Sequence, residues 1–261
     1  MNPRNDPFFD VPKTVAATTE GEVQLPISYF DASHYMALFR VDAAKAAAKL
    51  RDVPLEPVLV SGKAVAILSF FKYRETSLGP YDEVGLALLA TLRGHGQVLR
   101  SLTDLLQQTR DESWGSFVLD LPVSTPRARA AGCEIWGYPK FVGRLPIELS
   151  GAQFCGRVFD PDGRLILELS GERGSVVPES LPDMALVTYS MHHGQLLRTR
   201  VETRATCATS GGGSLQLHLG DSPHRMARNL ADLGLDGQTP KLLQTSDDFQ
   251  SLLFAGTNPL G

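Results

Sequence analysis

Lysine is scarce in this 261-residue chain: seven lysines stand against eighteen arginines, and between Lys72 and Lys241 there is one, Lys140. Cysteine is scarcer. Cys133, Cys155 and Cys207 are odd in number, far apart and form no CxxC, which argues against a disulfide framework or a cysteine zinc site and suits a reducing cytoplasm. Long apolar runs are missing too. The best, Ala64 to Phe71, falls well short of the roughly 18–20 residues of a membrane span. The opening MNPRNDPFFDVP has no apolar stretch behind a basic start, so it does not read as a secretory signal. Basic residues are scattered and the net charge is −4, against a nucleic-acid footprint. GxGxxG, Walker, GxSxG and HExxH motifs are absent, leaving dinucleotide, phosphate-loop, hydrolase-elbow and zincin readings without support.

What is present reads as one large domain. Hydrophobic residues make up 43% and charged residues 21%, an ordinary globular balance. Residues 1–25 are punctuated by proline and read as an irregular arm, with the main domain over 26–261. Asp42 to Leu50 (DAAKAAAKL) is a run of helix formers behind a capping Asp. Val58–Val60 and Ala64–Phe71 flank Ser61-Gly62-Lys63 as a hairpin, and Leu86–Thr91 and Ser116–Leu121 read as buried strands. Val98 to Arg110 suits helix and strand equally. Ser124-Thr125-Pro126 opens a short helix that Gly132 would end. Strands are expected over Val142–Leu149, Gln153–Phe159, Arg164–Ser170, Leu186–Met191, Gln195–Ala205 and Ser214–Leu219. Asp160-Pro161-Asp162-Gly163 is a strong turn signal among them. A last helix is capped by Asp221 or Ser222, starts at Pro223 and stops at Gly234. The pattern is α+β, a single domain around a curved, largely antiparallel β-sheet with a few short helices.

Most candidate sites have plain structural explanations. Gly211–Gly213 is a turn before it is a phosphate cradle. Asp160 and Asp162 lack the later ligands of a calcium loop, the pair His192-His193 lacks a third metal ligand, and His224 fits a surface role early in a helix. The segment Gly132 to Arg144, GCEIWGYPKFVGR, is different, because its lysine sits among Ile135, Trp136, Tyr138, Phe141 and Val142. Lysine in water has a pKa of about 10.4, so only roughly 0.04% is free amine at pH 7. Apolar surroundings disfavour the ammonium and release the nucleophile. Two readings follow: the side chain snorkels to solvent, or it is held in an apolar site because the amine reacts.

The same residues resemble the Schiff-base lysine motif of the acetoacetate decarboxylase family, G-x-E-x-x-G/A-Y-P-K. Here it reads Gly132, Glu134, Ile135, Trp136, Gly137, Tyr138, Pro139, Lys140. Upstream, Tyr73 to Glu83 (YRETSLGPYDE) is similar to the family segment that ends in Y-x-E and delivers an active-site glutamate. With a late strand and helix (Leu215–Leu219, then Ser222 onward), the likeness spans roughly residues 25–255. It implies a cone-like barrel in which Lys140 forms the imine and Glu83 is the active-site carboxylate. Tyr81, Trp136, Tyr138 and Phe141 would line the substrate cavity. Three positions depart from the pattern. Phe141 stands where the best-known decarboxylases have a second lysine, Cys133 where the family often has arginine, and Ala64–Phe71 carries no acid where another glutamate is expected.

The resemblance implies a lyase that needs neither cofactor nor metal: a Schiff base on Lys140 with a small keto acid, decarboxylating a 3-keto acid such as acetoacetate. An imine-based aldolase or dehydratase acting on pyruvate-like 2-keto acids is the alternative, and it needs a cation for the substrate carboxylate, Arg74 or Arg144. A non-catalytic barrel binding a small apolar ligand is a third. A homo-oligomer is expected, with no nucleic-acid or membrane partner.

Overall fold

The computed structural model describes residues 4, 6–102 and 112–261. A 3-10 turn (Pro7–Phe9) leads into a hairpin of β1 (Thr14–Thr18) and β2 (Gly21–Leu25). The N-terminal segment is therefore not irregular as expected. In GEVQL, buried Val23 and Leu25 alternate with exposed Glu22 and Gln24, the two-residue period of a half-buried strand. Next come β3 (Ile27–Val41), α1 (Ala43–Lys49), β4 (Leu55–Pro57), β5 (Leu59–Val60), β6 (Lys63–Thr76) and β7 (Tyr81–Leu92). Asp42 caps α1 as expected, accepting from the Ala44 and Lys45 amides. The β5–β6 hairpin turns at Ser61 and Gly62, both with positive φ. Val98–Leu99 form β8, and residues 103–110 of the ambiguous stretch lie outside the described residues.

Strand β9 (Trp114–Asp120) precedes α2 (Pro126–Trp136). Thr125 caps α2 and Pro126 starts it, but it runs through Gly132 and stops at Gly137, in the left-handed conformation at φ +65°. Gly132 is thus an interior helix residue and not the stop that the sequence suggested. Strands β10 (Ile147–Ser150), β11 (Gln153–Phe159) and β12 (Leu165–Glu172) follow, then β13 (Val177–His192), β14 (Gln195–Ser210) and β15 (Gln216–Leu219). The strand expected from Val142 begins only at Ile147, since Gly143 and Pro146 interrupt any ladder before it. Helix α3 (Arg225–Leu233) is capped by His224 and not by Asp221 or Ser222. The His224 ring accepts from the Met226 amide, while Ser222 is occupied with Asp160, 2.6 Å away. Gly234 ends α3 as expected, and β16 (Leu242–Leu253) closes the chain.

The architecture is α+β with a single domain, as expected. Seven strands form a closed barrel in the order β7-β9-β13-β14-β16-β3-β6 and back to β7. Six of the seven pairings are antiparallel; β9 and β13 run parallel. A second sheet, β10-β11-β12-β15, packs with α1 and α3 against the outside of β3, β6 and β7, burying Phe39, Phe70, Leu86, Phe154, Leu167 and Leu230. Strand β6 is therefore covered on both faces, and its apolar run is continuous instead of alternating. The inner face lines a cavity, and at one end of the barrel a cluster of Tyr29, Tyr73, Tyr81, Trp136 and Tyr138 closes over it.

No described helix is long and apolar enough to cross a membrane. Among the described residues, no group of three or more His, Cys, Asp or Glu side chains is placed to hold a metal ion.

Candidate active site

The start of β7 and the segment after α2 meet at the closed end of the barrel. Strand periodicity turns Glu83 inward from β7, in the row that continues as Gly85, Ala87 and Leu89 along the cavity. Lys140 arrives from the other side. Beyond Gly137 the chain runs extended against residues 121–123, with the Leu121 amide donating to Pro139 O (3.2 Å) and the Val123 amide to Phe141 O (2.9 Å). Tyr138 is fixed by its hydroxyl on Thr188 Oγ1 at 2.6 Å, and Trp136 by its indole N–H on Phe254 O at 2.8 Å.

Lys140 Nζ donates directly to Glu83 Oε2, and the two side chains are only 6% and 8% exposed. The other carboxylate oxygen faces the Tyr73 hydroxyl at 3.4 Å. The ammonium also lies 5.9 Å from the centre of the Tyr81 ring, a cation–π distance.

The neighbouring phenols stay protonated. Burial, and secondarily the Glu83 charge, pushes Tyr29, Tyr73 and Tyr81 well above the ordinary tyrosine range. Burial likewise raises Tyr138 to about 12. Tyr73 donates toward the carboxylate, Tyr29 and Tyr81 bond each other and Tyr138 bonds Thr188, so none of these hydroxyls is a base.

The cavity holds about 250 Å³. Lys140, Glu83 and Tyr138 line it, together with Tyr29, His34 and Tyr73, which the sequence reading did not assign as site residues. Tyr81 stands beside the pair with its hydroxyl on Tyr29, and Trp136 is buried behind Tyr138, its ring 5.9 Å from that phenol. Phe141 turns away and packs on His224. Arg74 points to the outside of the barrel, held bidentately by Asp31 at 2.7 and 2.5 Å and by Ser33. Arg144 lies over the Phe159 ring. Neither arginine reaches the cavity, and among its described lining residues Lys140 is the one Lys or Arg.

The acetoacetate decarboxylase family model matches residues 13–236. The chain belongs to this family. Several solved structures share its fold. An acetoacetate decarboxylase from Legionella pneumophila superposes with a TM-score of 0.61 at 15% identity, over 99% of this chain and 97% of that one. The enduracididine biosynthesis enzyme MppR, in complex with the condensation product of pyruvate and imidazole 4-carboxaldehyde, gives 0.57 at 15% identity, over 89% and 87%. An acetoacetate decarboxylase-like enzyme from Sphingomonas wittichii RW1 gives 0.55 at 15% identity, over 97% and 96%. A comparison with curated proteins finds no match. The fold is thus shared by a protein described as an acetoacetate decarboxylase and by one that holds a pyruvate condensation product.

Proposed function

We propose that this protein is a cofactor-independent lyase that forms a Schiff base between Lys140 and a 3-keto acid and releases carbon dioxide. The observation that carries the reading is the buried pair of Lys140 and Glu83 on the wall of an apolar cavity. Glu83 takes the ammonium proton, and the neutral amine adds to the ketone to give a carbinolamine. Returning a proton to the carbinolamine oxygen lets water leave, and the iminium ion remains. The electron pair of the C–CO2 bond then moves into the iminium, giving carbon dioxide and a neutral enamine. Protonation at carbon and hydrolysis release the ketone and regenerate Lys140.

The lining favours decarboxylation over the pyruvate-type alternative. An aldolase or dehydratase must hold its substrate carboxylate through the whole turnover, which calls for a guanidinium partner. Here Arg74 and Arg144 are committed elsewhere. A carboxylate brought into an apolar cavity without such a partner is destabilised, and losing it as neutral carbon dioxide relieves that destabilisation.

Borohydride reduction in the presence of acetoacetate is expected to link substrate carbons to Lys140, located by peptide mass spectrometry. Lys140→Ala is expected to abolish carbon dioxide release. Unchanged release from that variant would sink the reading. A pyruvate–aldehyde condensation product instead of carbon dioxide would replace it with the alternative, and no adduct with any carbonyl compound would leave a binding barrel.

A further inference from the structure

The cavity is larger than a four-carbon keto acid requires. It holds about 250 Å³, whereas a cavity of roughly 150 Å³ already accepts a benzene ring. Barrel register shows where the extra space leads. Glu83 on β7 lies opposite Phe71 on β6, and His34 on β3 lies opposite Phe71. Neighbouring strands are about 4.8 Å apart, so the Cα atoms of Glu83 and His34 are roughly 10 Å apart along one row of inward residues. Phe71 is stacked flat on the His34 ring, with centroids 4.3 Å apart and planes at 7°, and Phe249 flanks the same ring at 4.9 Å. Phe71 stacks on Tyr73 as well, with centroids 5.2 Å apart and planes at 10°, so a stack of aromatic rings forms this wall from the Lys140–Glu83 pair to His34.

At its far end the wall carries polar atoms with nothing to bind. His34 Nε2 and Gln244 Nε2 are sealed from solvent and have no hydrogen-bond partner. Both residues line the cavity and both are more than nine-tenths buried. They are neighbours: in the β16–β3 ladder Ser246 faces His34 and Gln244 faces Met36, the next inward position. Side chains in such a diagonal relation are within reach of one ligand atom. Buried groups of this kind are normally paired, and one bound oxygen would satisfy both. The Gln244 amide nitrogen can only donate, so the partner needs an acceptor oxygen. His34, neutral because burial pushes its pKa down to about 3, can donate to that oxygen or accept from it.

We infer that the substrate is a 3-keto acid whose ketone carries an extended aryl arm ending in a hydroxyl. The arm lies along Phe71, and His34 Nε2 and the Gln244 amide bind its terminal oxygen. The placement of the ketone rests on the imine reading above; recognition of the arm does not, and is measured separately.

The test is calorimetric titration with three uncharged product-like ketones: acetone, 4-phenylbutan-2-one and 4-(4-hydroxyphenyl)butan-2-one. Wild-type protein is expected to bind both aryl ketones at least ten-fold more tightly than acetone, with the phenolic hydroxyl adding up to about ten-fold more. His34→Phe and Gln244→Leu are each expected to lose the hydroxyl increment and to keep 4-phenylbutan-2-one, which also reports that the cavity is intact. Equal binding of acetone and the aryl ketones would overturn the inference, as would no hydroxyl preference in wild type or an increment that survives in both variants. Borohydride treatment of the same samples separates the two levels. The expected ranking without any adduct on Lys140 would overturn the imine reading and leave the arm site standing. An adduct from acetoacetate with no aryl preference would overturn the arm site alone.

Discussion

Gly132 in α2 makes room for the side chain of Lys140. A β-carbon at this position would overlap Lys140 Cε and Cδ and stand 3.2 Å from Nζ. The motif glycine therefore lets the helix pass against the amine that the next loop delivers. Alanine is the better helix former by about 1 kcal/mol, so Gly132→Ala should leave the helix itself sound while driving Lys140 off Glu83. Misplacement of a reacting group by about 1 Å can cost on the order of a hundred-fold in rate. The expected result is a loss of that order in borohydride trapping on Lys140, with a melting temperature close to wild type. Trapping at the wild-type rate would show that the side chain has another path to the site.

Glu83 tests the electrostatics of the pair. Glu83→Gln keeps the shape and leaves a buried ammonium without its counter-charge, a change that typically destabilises by about 3–5 kcal/mol. Adding Lys140→Met to the same chain removes the uncompensated charge. The double variant is therefore expected to unfold at a higher denaturant concentration than Glu83→Gln alone. Activity should separate from stability: Glu83→Gln is expected to lose about 10²–10⁴-fold in turnover, the range of general acid–base catalysis. Parallel urea melts and carbon dioxide assays check both.

Glu134, the acidic residue of the motif, has a different role. Its carboxylate accepts from Thr19 N at 2.9 Å and from Thr19 Oγ1, tying the β1–β2 turn to α2. Those hydrogen bonds hold the carboxyl below its ordinary pKa. The carboxylate is solvent-exposed, so Glu134→Ala is expected to loosen the hairpin without unfolding the barrel. Limited proteolysis should cut near Thr19 faster in the variant, at unchanged melting temperature.

The parts of this fold that were legible in the sequence are those that local physics decides. The β5–β6 hairpin, the Thr125-Pro126 start of α2, the Gly234 stop and β11 are set by turn, cap and alternation signals in neighbouring residues. The strands that close the barrel were not legible. In β3, Asp31, Ser33 and His34 break the apolar pattern, and bulges lie at Tyr29–Ala32. In β16, Asp247-Asp248 sits in mid-strand beside a register shift between Ser246 and Phe249. His34 faces the cavity while Asp31 and Ser33 hold Arg74 outside the barrel, so polar residues stand on both faces of the strand and the two-residue period is lost. The same effect hid His34, Tyr29 and Gln244, while Lys140 and Glu83 stood in short contiguous motifs. Arg74 shows the converse: proximity in sequence to Tyr73 and Glu83 did not predict its direction, because successive residues of β6 face opposite sides of the sheet.

His34 gives the barrel an acid limit. Burial among Phe71 and Phe249 lowers its pKa from 6.5 to about 3, so the unfolded chain takes up a proton at a pH where the folded chain does not. Stability from keeping this ring neutral is complete above about pH 6.5 and is lost as pH falls toward 3, at about 1.4 kcal/mol per pH unit. Other groups titrate over the same range, among them buried Asp120, whose carboxyl burial raises. Their contribution is shared by wild type and by His34→Phe, which keeps an aromatic ring in the slot and carries no proton. The difference between the two proteins isolates the imidazole. Urea midpoints measured from pH 7 to pH 4 should fall more steeply for wild type, and the variant's advantage should widen with each unit of acidification. Parallel curves would mean that the ring finds a proton-stabilising partner inside the barrel, and would point to a carboxylate or water within reach of Nε2.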